Sequence, residues 1–392
     1  MRLVKRARLL LALIPFLAGC GDFWQPPGGS SGSGGATTTT LSSGYFYVLN
    51  QATSQIVAYN ITSGTLNQIG AYTLSAAPTA IAIAPGGGFL YVSSLTGIFL
   101  YTIGNNGALT VGNNGGAISY DPAAAIQVDS TGAWLVDAVQ GTSGVTLDAI
   151  PINSSGAYSG ATVGTVQYAV NNAAVHQLAL SADDLHVFAA LGAGGTLYVD
   201  FASGNANPLA ASGNVIPVQN AGGSALSVAV DPSSSPRLLY IGEVLGNSAA
   251  TSGGLRVINY SSLGGTPTQV TGSPFSSGGL GPYAILPVST GDTVYVANGT
   301  GESSAGNIAG FSITSSNSVY TVATGSTVAT GILPYGLAED SNSNFVLAAC
   351  EGGSYDLEAY IFDTTTAGQL DLAIHSTTGT GATDPIAVAA AP

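Results

Sequence analysis

The sequence predicts an all-β fold, a seven-bladed β-propeller with four-stranded blades whose ring is closed by pairing the N- and C-terminal strands. Three observations predict it. A unit of roughly 50 residues recurs, each unit reads as four short apolar strands, and each end of the chain carries the part of a unit that the other end lacks.

The unit is plainest at Ala80–Ile83, Phe89–Val92, Ile98–Ile103 and Ala108–Val111, four apolar runs separated by polar or glycine turns. The last residues of successive first strands are Ile83, Val128, Leu180, Val230, Val288, Glu339 and Val388, at spacings of 45 to 58 residues. Second strands follow at nearly constant distance, among them Leu90-Tyr91-Val92, Trp134-Leu135-Val136, Leu239-Tyr240-Ile241 and Val294-Tyr295-Val296. Tyr45-Phe46-Tyr47-Val48 is a second strand with no first strand before it. Pro385-Ile386-Ala387-Val388 is a first strand with nothing after it. Pairing them completes a blade and hides two sheet edges. After the leader no stretch sustains a 3.6-residue apolar period, which leaves little room for helices.

Ahead of the repeats, Arg2, Lys5, Arg6 and Arg8 precede the apolar run Leu9–Ala18, the layout of a secretory signal and too short to span a bilayer. Residues 1–19 are therefore expected to be a signal peptide. Leu17-Ala18-Gly19-Cys20 resembles a bacterial lipobox, which implies lipid attachment at Cys20 and, with Gly rather than Asp at position 21, a site in the cell envelope at the outer membrane. Residues 20–43, nearly all Gly, Ser, Thr and Pro, read as a flexible tether, and 44–392 as the propeller. Phe23 and Trp24, close to the anchor, suit the lipid interface.

Beyond Cys20 stand two cations, Arg237 and Arg256, against twenty carboxylates, a net charge of −18. Such a surface repels phosphate backbones, so nucleic acid is excluded as a partner and the acyl chains alone are expected to hold the membrane. With Cys20 lipidated, Cys350 has no internal disulfide partner and reads as a small core residue in the run Phe345–Ala349.

The blades resemble the lactonase-like and YVTN-type β-propeller families. Pro78–Gly86, Val228-Ala229-Val230-Asp231-Pro232 and Thr293–Asn298 carry the resemblance, which covers about residues 45 to 392. Val175-His176-Gln177-Leu178 through Asp183-Asp184, followed by Leu191-Gly192, looks like the lactonase histidine motif with its downstream Asp-Leu-Gly. Here Ala190 stands where the family has the Asp, and Ala193-Gly194-Gly195 brings no second acid. The resemblance implies a lactonase-like hydrolase or isomerase with His176 as its base, while the departures weigh against that chemistry.

In a propeller the first strands line a central channel, so His176, at the start of one, is expected at a channel mouth. Glu243, Glu302, Glu351 and Asp356 are expected on second-to-third loops at the same mouth, as ligand-binding candidates. Glu339 interrupts the apolar anchor series and is expected to face channel water or to have a partner, since burying a lone carboxylate costs several kcal/mol, roughly. Opening a lactone needs a base and an oxyanion donor. His176 supplies the first, no residue is evident for the second, and with Lys absent beyond the leader a phosphorylated lactone is disfavoured. Glu351, Asp356 and Glu358 match no calcium loop, and His186 and His375 lack zinc-ligand spacing, so neither a metal nor a cofactor is expected. Most tyrosines recur at blade positions and read as core rather than as a sugar platform. The leading expectation is a non-catalytic module, displayed on a lipid tether, that binds a protein or an envelope glycan. The alternative is a lactonase-like enzyme acting on an uncharged ring.

Overall fold

The computed structural model describes residues 42–232, 238–259, 267–316, 319–377, 379 and 383–391. The expected signal peptide, Cys20 and Arg237 lie outside them, as does most of the expected tether. The first strand, Ser42–Asn50, begins two residues inside the segment read as tether.

Every regular element described is a strand apart from the 3-10 turn Asn113–Gly115. The strands Pro78–Ile83, Phe89–Ser94, Gly97–Ile103 and Leu109–Val111 coincide within two residues with the runs read from the sequence. They form because alternate residues can be buried: in Pro78–Ile83, Pro78, Ala80 and Ala82 are buried while Thr79, Ile81 and Ile83 are half-exposed. Polar side chains fix the hairpin leaving a first strand. Asp129 Oδ1 accepts the Trp134 amide at 2.7 Å, Asp340 Oδ1 that of Phe345 at 2.6 Å, and Ser181 Oγ that of His186 at 2.9 Å.

The strands assemble into six hydrogen-bonded sheets of antiparallel neighbours. Three have four strands and two have four plus a short addition. The sixth has seven, because the 21-residue strand Val319–Glu339 pairs first with Ala305–Ser316 and then, from Ile332 onward, with Phe345–Gly352. The N-terminal strand pairs with Pro385–Ala390, Val48 opposite Val388 and Leu49 opposite Ala387, so the two ends of the described chain share one sheet as expected.

Packing between sheets is apolar and repeated. One cluster joins Phe46 and Val48 to Phe345, Leu347 and Ala349; another joins Tyr47 and Leu49 to Leu90 and Val92, on the opposite side of the same N-terminal strand. Among the described residues there are seven such clusters, each pressing the flat of one four-strand group on the next. The tyrosines of the repeat also bridge groups. Tyr47 OH donates to the Gly107 carbonyl at 3.0 Å, Tyr91 OH to Gly156 at 2.7 Å, and Trp134 Nε1 to Ser203 at 2.8 Å. These second-strand residues are thus core residues with a polar tip that latches the next unit.

Candidate functional site at the channel mouth

The first strands run side by side around a channel. At one end their opening residues enclose a cavity of about 190 Å³, with His176, Gln177, Thr79, Gln127, Tyr283 and Tyr335 in its wall. His176 sits where expected, just before the strand Gln177–Leu180, its amide donating to Ala190 O at 3.0 Å. Gly192 lies beside the imidazole. This glycine has φ +58°, and a Cβ there would stand 3.4 Å from His176 Nε2 and 3.1 Å from Ala174 Cβ. The apolar strands around it hold its pKa below the usual 6.5 by desolvation, so the ring is the neutral, basic form at pH 7.

Tyr283 and Tyr335 complete the mouth as an edge-to-face pair with ring centroids 4.9 Å apart. Burial raises the pKa of both phenols, and the charge of Glu351 raises it further, together with Glu302 at Tyr283 and Asp384 at Tyr335. Both therefore stay protonated, and the Tyr335 hydroxyl is hydrogen-bonded to the Glu351 carboxylate. Their role was not evident from the sequence, where tyrosines read as core, yet a signal existed. Counting back four residues from the anchors Leu180 and Glu339 reaches His176 and Tyr335, and counting back five from Val288 reaches Tyr283, where the strand pairing shifts register between Pro282 and Ala284.

The acidic candidates divide. Glu302 and Glu351, with Asp384, line an acidic cavity of about 520 Å³, and their charges act on the phenols of the two tyrosines. Among the described residues no carboxylate lines the His176 cavity itself. Asp356 is fully buried and accepts the Thr383 hydroxyl at 2.9 Å. Glu243 is in the strand Leu238–Val244 rather than on a loop. It is buried and bound to Arg256 Nη1 at 2.7 Å and to the Gln219 amide at 2.7 Å. Arg256 also donates to Pro217 O and Gln269 Oε1. Glu339 lies at the far end of the channel, in a cavity of about 480 Å³, and accepts the Ser289 amide at 2.7 Å and its hydroxyl at 3.0 Å; it has both the partner and the channel setting expected.

Glu358 accepts the Thr330 hydroxyl, the Gly331 amide and the Tyr360 hydroxyl, which leaves it no role beside Glu351. Cys350 is buried beside Thr330 with its thiol pushed up to about 12 by burial, an inert core residue as read from the sequence. His186 stacks on Phe188 and lies 3.5 Å from Asp200, while His375 stacks on Tyr355. Among the described residues no group of three or more His, Cys, Asp or Glu side chains is placed to hold a metal.

A neutral imidazole and protonated phenols around one channel mouth are suited to attack on an ester carbonyl, and a family comparison points the same way. The profile of the family described as "Lactonase, 7-bladed beta-propeller" matches residues 35–235, just over half of the chain. The chain belongs to this lactonase family of seven-bladed β-propellers. No curated protein sequence matches it. Among solved structures, the periplasmic gluconolactonase PpgL of Pseudomonas aeruginosa aligns over 89% of this chain and 98% of its own, with 17% identity and a TM-score of 0.67. A candidate 6-phosphogluconolactonase from Bacteroides fragilis covers 91% and 99% with 14% identity, and one from Bacteroides uniformis 88% and 98% with 18%, both at a TM-score of 0.67. At these identities the likenesses show the fold.

Proposed function

We propose that the protein is a lactonase-like hydrolase that opens an uncharged ring ester at the His176 mouth. The observation that carries the reading is the shared cavity: in a member of a lactonase family, the imidazole of His176 and the phenols of Tyr283 and Tyr335 line one opening. A water oxygen attacks the lactone carbonyl as His176 takes its proton. The developing oxyanion is stabilised by the O–H of Tyr283, since that of Tyr335 is engaged by Glu351. The ring C–O bond then breaks, and the departing alkoxide takes the proton back from the imidazolium, leaving a hydroxy acid. The cluster of Glu302, Glu351 and Asp384 nearby repels the carboxylate product and also disfavours a phosphorylated substrate. Arg256, engaged by Glu243, offers no phosphate clamp.

Proton release on adding δ-lactones to the full-length protein tests the reading. His176→Ala is expected to lower the rate by about 10²–10⁴-fold, and Tyr283→Phe by up to about 10². Because the imidazole pKa is lowered, the acid limb of kcat/KM should fall below pH 6.5. An unchanged rate in His176→Ala overturns the assignment.

A second reading, a non-catalytic module for a protein or envelope glycan, is favoured because the described residues that line the His176 cavity include no carboxylate to orient the imidazole. Absence of lactone opening, with retention of an envelope component on the immobilised protein, selects it.

The wider setting belongs to the same proposal. The seven-stranded sheet is read as two blades sharing Val319–Glu339, giving seven four-stranded blades across residues 44–392. Cys20 carries lipid after removal of residues 1–19 and tethers the propeller in the cell envelope at the outer membrane, with no nucleic-acid partner. Metabolic labelling with a palmitate analogue should mark the wild type, and Cys20→Ser should lose the label and leave the membrane fraction.

A further inference from the structure

The cavity at the His176 mouth and the larger one toward Glu339 are consecutive parts of one channel, for Gln127, Gln177, Leu178, Ile285, Leu337 and Val388 stand in the walls of both. Of these shared residues only the two glutamines are polar. Gln177 is committed: its Oε1 accepts the Val228 amide at 3.1 Å and ties two first strands together. Gln127 is different. It lies on the strand Ala125–Val128 with its backbone opposite Val136, it is half-buried, and among the described residues its side-chain amide has no hydrogen-bond partner. Thr79, also polar, is engaged within the protein. Its Oγ1 donates to Ala123 O at 2.7 Å.

We propose that Gln127 is a specificity-determining residue that holds the hydroxyl groups of a polyhydroxylated, uncharged lactone, while the ring ester faces His176, Tyr283 and Tyr335. This rests on the hydrolase reading. An amide presents one acceptor oxygen and two N–H donors, a match for hydroxyls, which both donate and accept, and it adds no charge to a mouth that already has carboxylates beside it. Inside the channel such a group discriminates sharply, because a ligand lacking the hydroxyl takes its water away and returns no bond.

The test uses the full-length protein with glucono-δ-lactone and δ-valerolactone, the same ring with and without hydroxyls. Wild type is expected to favour the hydroxylated ring by at least about tenfold in kcat/KM. Gln127→Leu should erase that preference through a raised KM for glucono-δ-lactone, with a smaller effect on δ-valerolactone, and Gln127→Asn should restore part of it. An equal effect on both lactones, or an unchanged KM, overturns the proposal. Calorimetry with glucono-δ-lactam, which is not hydrolysed, separates this proposal from the hydrolase reading. If wild type opens neither lactone but binds the lactam and Gln127→Leu does not, recognition by Gln127 stands and hydrolysis falls. Equal lactam binding by both proteins, or by neither, sinks the role of Gln127.

Discussion

Charge burial is the main energetic risk at the scale of single residues, and the molecule handles it in two ways. Glu243, 1% exposed, is matched by Arg256, 7% exposed. Burial pushes the Glu243 carboxyl up, and the guanidinium and the Gln219 amide pull it back. Removing one partner strands the other, so Glu243→Gln is expected to cost about 3–5 kcal/mol in denaturant unfolding, while Glu243→Leu combined with Arg256→Met should recover most of it. Asp137 has no such match. It faces Asp148 directly across the ladder between Trp134–Gln140 and Gly144–Pro151, and it is fully buried. Burial first, then the charges of Asp148 and Asp121, hold its pKa well above the usual 3.8. A raised carboxyl pKa means that the folded state keeps a proton the unfolded chain gives up. Its stabilising contribution is complete below pH 3.8 and is lost as pH rises through the folded value. Melting temperature should therefore fall more steeply between pH 4 and pH 8 in wild type than in Asp137→Asn, and parallel curves would remove Asp137 as the cause.

Elements are held to one another by the latch residues of the second strands. Tyr91 is completely buried, and its hydroxyl reaches the Gly156 carbonyl, 65 positions on, in the next four-strand group. Tyr91→Phe keeps the ring and the packing but leaves that carbonyl short of a donor, so a loss of about 1–2 kcal/mol is expected by denaturant unfolding. A change below about 0.3 kcal/mol would mean that water replaces the bond. This scale also explains what the sequence made legible. Strand positions follow from a local alternation that repeats, so the runs from Ala80 to Val111 match the observed strands within two residues. The pairing of the two ends is equally readable, since Tyr45–Val48 and Pro385–Val388 are complementary fragments of one unit. Partnerships across strands are not readable that way. Nothing local marks Arg256, thirteen residues away, as the partner that takes Glu243 out of the mouth. Nor does local pattern separate Tyr335, facing the channel, from Tyr91, facing a neighbouring sheet; only the register counted from the strand ends does so.

For the whole molecule, the structural hazard is an open ring, and the strand Pro385–Ala390 is what closes it. It hydrogen-bonds along Phe46–Asn50, supplies Ile386, Ala387 and Val388 to the channel wall, and packs Val388 and Ala390 against the cluster that joins the N-terminal strand to Phe345–Gly352. Without it, Ser42–Asn50 becomes a sheet edge bearing unpaired amides and carbonyls beside fully buried Phe46, Tyr47, Val48 and Leu49. Such an edge recruits other chains. Charged residues, 7% of the chain, are too sparse to blunt it. A chain ending at Asp384 is therefore expected to aggregate or to elute as oligomers in size-exclusion chromatography with light scattering, and to lose the His176 cavity, whose wall includes Ile386, Ala387 and Val388. Adding a synthetic peptide of residues 385–392 in excess should restore the monomer by strand addition, since the lost contacts are mainly backbone pairing and small apolar side chains. A truncated chain that stays monomeric with an unchanged melting temperature would show that the other inter-sheet contacts hold the ring without its closing strand.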